Sequence, residues 1–430
     1  MSDYASFLAR KQRMFAGVPG GASSSLPAML YPWQSAIVRW ALRKGRAAIF
    51  ADCGLGKTFM QVAWADALNV PALILAPLCV AEQTVEQAKQ LGIDVRYATD
   101  QSHATGRITI TNYERLAKFD ASRFGAVVLD ESSILKSMDG KTRTALIVAF
   151  ADTPYRLCCT ATPSPNDISE MANHAEFLGL MTRPEFLATW FVHDDAGWRM
   201  KRHAVQPFYR WLASWALAMR WPSDIGYDDD RFVLPDLSIS DVMLDAEHAP
   251  AGVLFHGMAL KGIQGRLAAR RASLVDRVEA VSRIAASGGQ WICWCGLNDE
   301  SDALARAIPC SVNVQGSDSY AEKVGAIRGF ASGDIRVLVT KPKILGFGMN
   351  FQHCHQMAFV GLSDSYETYY QCIRRCWRFG QQHPVDVRIV VSESEVSVVE
   401  NVRRKEAHAA ELSGRLVHYM SEMEREELTA

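Results

Sequence analysis

The 430-residue chain carries almost no net charge: 46 Lys and Arg stand against 47 Asp and Glu, giving −1 with His neutral. That balance excludes a wholesale basic coat for nucleic acid, though not a local basic track on one surface. No apolar run approaches the roughly 18 residues of a membrane-spanning helix. Met1 to Arg13 mixes charge with aromatics and has no apolar signal core. The chain is therefore expected in the cytoplasm. Its ten Cys include no paired zinc spacing and fit a reducing compartment. Cys293 and Cys295 fall on one face of an expected buried strand, and His353-Cys354-His355 has no second ligand pair at a suitable distance. Both groups read as structural rather than metal-binding. What remains, 49% hydrophobic and 22% charged residues, is the composition of a soluble globular protein. The length suggests two to three domains.

Against this background one stretch organises the chain, Ala51-Asp52-Cys53-Gly54-Leu55-Gly56-Lys57-Thr58. The apolar run Ala47 to Phe50 before it reads as a buried parallel strand, and Phe59 through Leu68 after it are good helix formers. In a strand–loop–helix order, backbone N–H groups and the helix N-terminus face one point and hold a phosphate chain there. Gly54 and Gly56 let the backbone close in. Lys57 would place its charge on the outer phosphates and Thr58 its hydroxyl on Mg²⁺. Ala51 stands where the general pattern has its first Gly.

Residues 1–29 read as a lead and linker, with Gly17 to Pro27 rich in Gly, Ser and Pro. Tyr31-Pro32-Trp33-Gln34 opens a helix. Here two readings stay open: Gln34 reads the edge of an adenine, or it packs the helix N-terminus. Further strands are expected at Ala72 to Ala76, Val95 to Tyr97, Ile108 to Thr111, Ala126 to Leu129 and Tyr155 to Cys159. The fourth of these runs into Asp130-Glu131-Ser132-Ser133. A parallel strand delivering two acids at its C-terminal edge puts them where ligands bind in open α/β sheets. Asp130 would hold Mg²⁺ through its water shell, and Glu131 would polarise the attacking water. Thr160 and Thr162, at the end of the last strand, would relay the γ-phosphate state or simply cap a turn.

The motifs from Tyr31 to Gln34, A-x-x-G-x-G-K-T, Leu73 to Pro77, Asp130-Glu131 and Thr160-Ala161-Thr162-Pro163 stand in the order found in superfamily 2 helicases and translocases. Cys159 through Asp167, with Glu170 and Phe177-Leu178 beyond, resembles the Swi/Snf-type branch. Asp-Glu-Ser-Ser departs from the more usual Asp-Glu-Ala-His of that family. The resemblance implies two tandem RecA-like α/β parallel-sheet lobes, at 30–180 and 246–395, with a helical, Trp-rich insert and bridge at 181–245 and a C-terminal helix at 396–430. In the insert, Trp190, Trp198, Trp211, Trp215 and Trp221 alternate with basic residues. Two readings compete: a basic, aromatic surface that tracks a nucleic-acid backbone, or tryptophans forming the small core of a helical insert with solvated arginines. The second is favoured for the tryptophans and the first for some of Arg199 to His203. Phe208 to Met219 is helical in pattern, and Leu237 to Leu244 resembles the bridge between lobes.

The second lobe has the strand–helix rhythm without a phosphate loop. Gly346-Phe347-Gly348-Met349-Asn350 resembles the family's G-x-G-x-N element, where glycines admit a phosphate. Gln371 to Gln381 meets every specified position of Q-x-x-x-R-x-x-R-x-G-Q. Arg375 and Arg378, three apart and so expected on one helical face, then look like the pair that reaches the γ-phosphate. The resemblance implies an ATP- and Mg²⁺-dependent motor on DNA, duplex favoured and single-stranded possible, in a compact bacterial or phage form. No nuclease carboxylate–lysine cluster stands out, so cutting would need a nuclease or a replication or recombination protein as partner.

Overall fold

A computed structural model describes residues 14–18, 25–77, 80–136, 140–194, 197–229, 232–244, 270–346 and 349–429. Most of the expected lead, Gly348 and the start of the expected second lobe (246–269) lie outside these residues. The chain divides into two compact units, Met1–Phe232 with His408–Ala430, and Val233–Ala407.

The first unit is built on β1 (Arg46–Ala51), β2 (Ala72–Ala76), β3 (Val95–Tyr97), β4 (Ile108–Asn112), β5 (Ala126–Asp130) and β6 (Tyr155–Cys159). β2, β4 and β5 are buried along their whole length. Burial on both faces is the signature of a parallel sheet covered by helices, and it explains why these runs are apolar without alternation. A hairpin of β7 (Phe191–Asp194) and β8 (Gly197–Met200) stands apart as an antiparallel pair. β9 (Ala216–Met219) joins the main sheet, whose order is β3-β4-β2-β5-β6-β1-β9, all parallel. Register sets Cys159 of β6 beside both Asp130 of β5 and Ile49 of β1. The ends of β1, β5 and β6 are thereby neighbours.

The expected helix from Phe208 to Met219 is two elements, a helix Val205–Ala213 and then β9. Periodicity cannot separate a short buried strand from a buried helical turn, and the Trp215 to Met219 run is apolar throughout. The Trp-bearing stretch accordingly has helices, a hairpin and a sheet strand, and residues up to Phe232 belong to the first unit. Trp190, Trp211 and Trp215 are buried in the same hydrophobic cluster as Phe50, Leu73 and Leu129. They are core residues of that unit, not of a separate small core. Trp198, on β8, is exposed.

A helix Val396–Thr429 closes the chain, and from His408 onward it is part of the first unit. Leu416 and Met420 enter its core, and Tyr419 stacks on Tyr209 at 4.6 Å. Glu424 Oε1 accepts the backbone N–H of Ala218 in β9 at 2.7 Å. Burial, with the charge of Asp224 adding to it, pushes this carboxyl up to about 8 despite that bond. The folded value lies above the unfolded one, so the native state keeps a proton that the unfolded chain releases. Its contribution to stability is full below about pH 4.3 and is lost as pH rises toward 8. Glu424→Gln, a neutral mimic of the protonated side chain, is expected to flatten this pH dependence. At pH 9 it should unfold at higher urea than the parent, by on the order of a few kcal/mol, and at pH 4 it should differ little.

The second unit holds β10 (Leu237–Leu244), β11 (Trp291–Trp294), β12 (Val312–Val314), β13 (Val337–Thr340), β14 (Gln356–Phe359) and β15 (Val385–Ser392). They form a second all-parallel sheet in the order β10-β15-β14-β11-β13-β12. Leu237 to Leu244, expected as a bridge, is the edge strand of this sheet and pairs with β15 along its whole length. The C-terminal edge of the sheet is filled by charge. Glu300 pairs with Arg270 at 2.5 Å and lies 3.7 Å from Arg277, which pairs with Glu395 at 3.2 Å. Arg277 and Glu300 are fully buried. Gly361, just past β14, has φ +104°, and a Cβ there would stand 2.5 Å from Arg277 Nη1. The glycine makes the room that the guanidinium occupies. No helix among the described residues is long and apolar enough to cross a membrane.

Candidate nucleotide-binding and hydrolysis site

The phosphate loop leaves β1 at Ala51 and enters the helix Lys57–Ala67. Gly54 and Gly56 have φ of +90° and +72°, which only glycine adopts without strain. Gly56 is also pinned sterically, since a Cβ there would lie 2.4 Å from Gln34 Nε2. Gln34 itself is buried. Its Oε1 accepts the Tyr31 N–H at 3.0 Å and its Nε2 donates to Leu55 O at 3.1 Å. One side chain thus ties the start of the helix Pro32–Lys44 to the middle of the loop. Lys57 Nζ donates to Ala51 O (2.9 Å) and Asp52 O (3.2 Å), holding the ammonium over the loop's own backbone. A cradle of left-handed glycines with a lysine over it suits a phosphate chain.

The two acids sit at the end of β5. Asp130 is buried, and its Oδ1 accepts from Gln61 Nε2 at 2.7 Å. Burial pushes its carboxyl up to about 6, with the charge of Glu131 adding and Gln61 and Lys57 opposing. Glu131 has φ +54°, a strained value for a residue with a Cβ. This turns the chain sharply at the strand end. Thr160 Oγ1 donates to Glu131 Oε2 at 3.4 Å and accepts the Thr162 N–H at 3.1 Å. The end of β6 is in this way hydrogen-bonded to the second acid. The Thr162 hydroxyl is buried and has no partner among the described residues. A hydroxyl at Thr58 and a carboxylate at Asp130 are hard oxygen donors of the kind Mg²⁺ takes alongside phosphate.

Three neighbours of these acids escaped the sequence reading. Gln61 is fully buried within the apolar run Met60 to Ala65, and that lone polar residue was an available signal. Tyr113 donates its hydroxyl to Asp130 O at 2.7 Å, and nothing in the spacing announces it. His174, on the helix Met171–Phe177, lies with Nε2 3.1 Å from Ser132 Oγ. Burial lowers its pKa to about 4, so the ring is neutral at ordinary pH. The Asp-Glu-Ser-Ser stretch therefore does stand beside a histidine, supplied by another helix.

In the second unit the helix Tyr366–Cys376 ends before Arg378, because Trp377 has ψ 82°. The expectation that Arg375 and Arg378 share a helical face is corrected: Arg378 lies in the loop beyond. The two guanidiniums are nonetheless brought together, since both donate to Met349 O at 3.1 Å. Arg375 is buried and also donates to Gln371 O (2.9 Å) and Gln371 Oε1 (2.6 Å). Arg378 is half-buried. Arg374 lies over the Trp377 ring at 4.9 Å. Gly346 is buried at the end of the short helix Pro342–Leu345, and Asn350 is exposed, its Oδ1 accepting the Gln352 N–H at 3.4 Å.

The fold is α/β, with an all-parallel main sheet in each of two units and a glycine-bearing loop between β1 and the helix Lys57–Ala67. Residues 276–380 match the family model of the helicase conserved C-terminal domain. That match lies within the second unit, the one that carries Arg375 and Arg378. No curated protein matches the chain. Among solved structures it is similar to the Sulfolobus solfataricus SWI2/SNF2 ATPase core in complex with double-stranded DNA. That likeness has 18% identity over 95% of this chain and 98% of the other, with a TM-score of 0.43.

Proposed function

We propose that this chain is an ATP-dependent DNA translocase of the Swi/Snf-type branch, turning ATP hydrolysis into movement along mainly duplex DNA. The observation that carries the reading is the grouping of Lys57, Asp130, Glu131 and Thr160 by the ends of β1, β5 and β6, with the Thr160 hydroxyl on the Glu131 carboxylate. The loop amides and Lys57 bind the phosphates, and Gln34 braces the loop through Leu55 O. Thr58 and Asp130 hold Mg²⁺, which when bound neutralises charge on the outer phosphates. Glu131 orients the attacking water, and Thr160 senses whether that water and the γ-phosphate are in place. Arg378 is the second-unit residue to which this reading gives charge stabilisation during hydrolysis. Arg202 and His203 are exposed and suit a DNA backbone, as does Arg199, exposed although its Nε donates to Asp194 Oδ2 at 3.2 Å. Lys201 instead spends its ammonium on Ala188 O and Thr189 O, at 2.6 and 3.2 Å.

The test is steady-state ATPase activity with no polymer, duplex DNA, single-stranded DNA and RNA, at low and moderate salt. Strong stimulation by duplex alone, falling with salt, is expected. Stimulation mainly by single strands would replace the translocase with a strand-separating helicase. No hydrolysis under any condition would replace it with a nucleic-acid clamp switched by ATP.

A further inference from the structure

Gln61 is a costly residue where it stands. It is fully buried, flanked in sequence by buried Met60, Val62, Ala63 and Trp64, and its Oε1 has no partner among the described residues. An apolar side chain would fill the position without leaving a polar atom stranded. Its Nε2 donates to Asp130 Oδ1 at 2.7 Å, and the same amide bears on the buried Cys159 thiol. The Asp130 carboxylate also has the Glu131 backbone N–H beside it. Thr58 lies three residues before Gln61 on the same helix, and so on the same face.

We propose that Gln61 is a positioning residue for the metal-nucleotide site: its amide fixes the Asp130 carboxylate against the helix that carries Thr58, and so sets the spacing of the two oxygen donors. This rests on the reading of the site as one for Mg²⁺ and ATP. The chemistry favours an amide over its alternatives. A carboxylate at 61 would repel Asp130, and an ammonium would compete with the metal for it. Only a neutral donor orients the acid and leaves its charge available. Outer groups of this kind are worth about 10–100-fold in metal affinity.

The experiment is titration of a fluorescent ADP with magnesium chloride on the full chain, against the same binding in EDTA. In Gln61→Met the magnesium concentration giving half of the gain in ADP affinity should rise about 10–100-fold, with affinity in EDTA unchanged. In an Asp130→Asn background the same substitution should add nothing, because Gln61 acts through that carboxylate. Gln61→Asn, too short to reach Asp130 yet polar, should repeat the rise and serves if the Met variant does not fold. An unchanged magnesium dependence overturns the inference, as does an equal loss of affinity in EDTA, which would mark a merely structural role. A parent protein that binds no ADP overturns the functional reading, and this one with it.

Discussion

Arg378→Ala is expected to slow DNA-stimulated ATP hydrolysis by about 10³–10⁵-fold, the range for a guanidinium that stabilises charge on a transferring phosphoryl group. Binding of nucleotide to the first unit should change little, since its loop, lysine and acids are all carried there. The neighbouring Arg375→Ala should behave differently. Arg375 is buried, and its three donor nitrogens serve Gln371 O, Gln371 Oε1 and Met349 O. Its removal strands those acceptors in the core, so loss of stability should precede any specific loss of rate. Lysine at 378 should not restore the rate, because a point charge cannot reproduce the planar fork. Single-turnover hydrolysis with saturating duplex DNA, read beside thermal unfolding of each variant, separates the two arginines. Equal rate losses with equal stabilities would mean that they act as the pair the sequence suggested.

That separation was illegible in the sequence, and the reason is physical. Motif spacing reports which residues share a short segment, and it placed the phosphate loop, the Asp130-Glu131 strand end and the arginine segment. These are local patterns, each set by a strand or helix terminus and its turn. Spacing does not report where a helix stops when no Gly or Pro marks the end, and here Trp377 ends it. Nor does it report long-range register. The pairing of β9 with β1, of β10 with β15 and of Glu424 with Ala218 joins residues far apart in the chain. Gln61 and His174 belong to the same category: each is a buried polar residue on a helix, and only the fold reveals what it touches. The charge filling the edge of the second sheet likewise combines Arg270, Arg277, Glu300 and Glu395, which no motif groups.

Glu131→Gln is expected to lower steady-state ATP hydrolysis by about 10²–10⁴-fold, the usual worth of a positioned proton acceptor. Glutamine keeps the shape, and it keeps the hydrogen bond from Thr160 Oγ1, which its amide oxygen can accept. It also keeps the backbone at φ +54°, so it tests the carboxylate and not the turn. Nucleotide affinity should therefore be retained, and the variant should stall with ATP bound. A different substitution tests the turn. Glu131→Gly relieves the strain of the left-handed conformation but removes the side chain that Thr160 holds. It should be at least as stable as Glu131→Gln and equally slow. Rates measured with saturating ATP and duplex DNA, together with trapping of ATP on the protein, distinguish these cases. Hydrolysis by Glu131→Gln at the parental rate would move the attacking-water role away from this residue. Loss of nucleotide binding in Glu131→Gln alone would make the carboxylate a binding group instead of the group that orients the water.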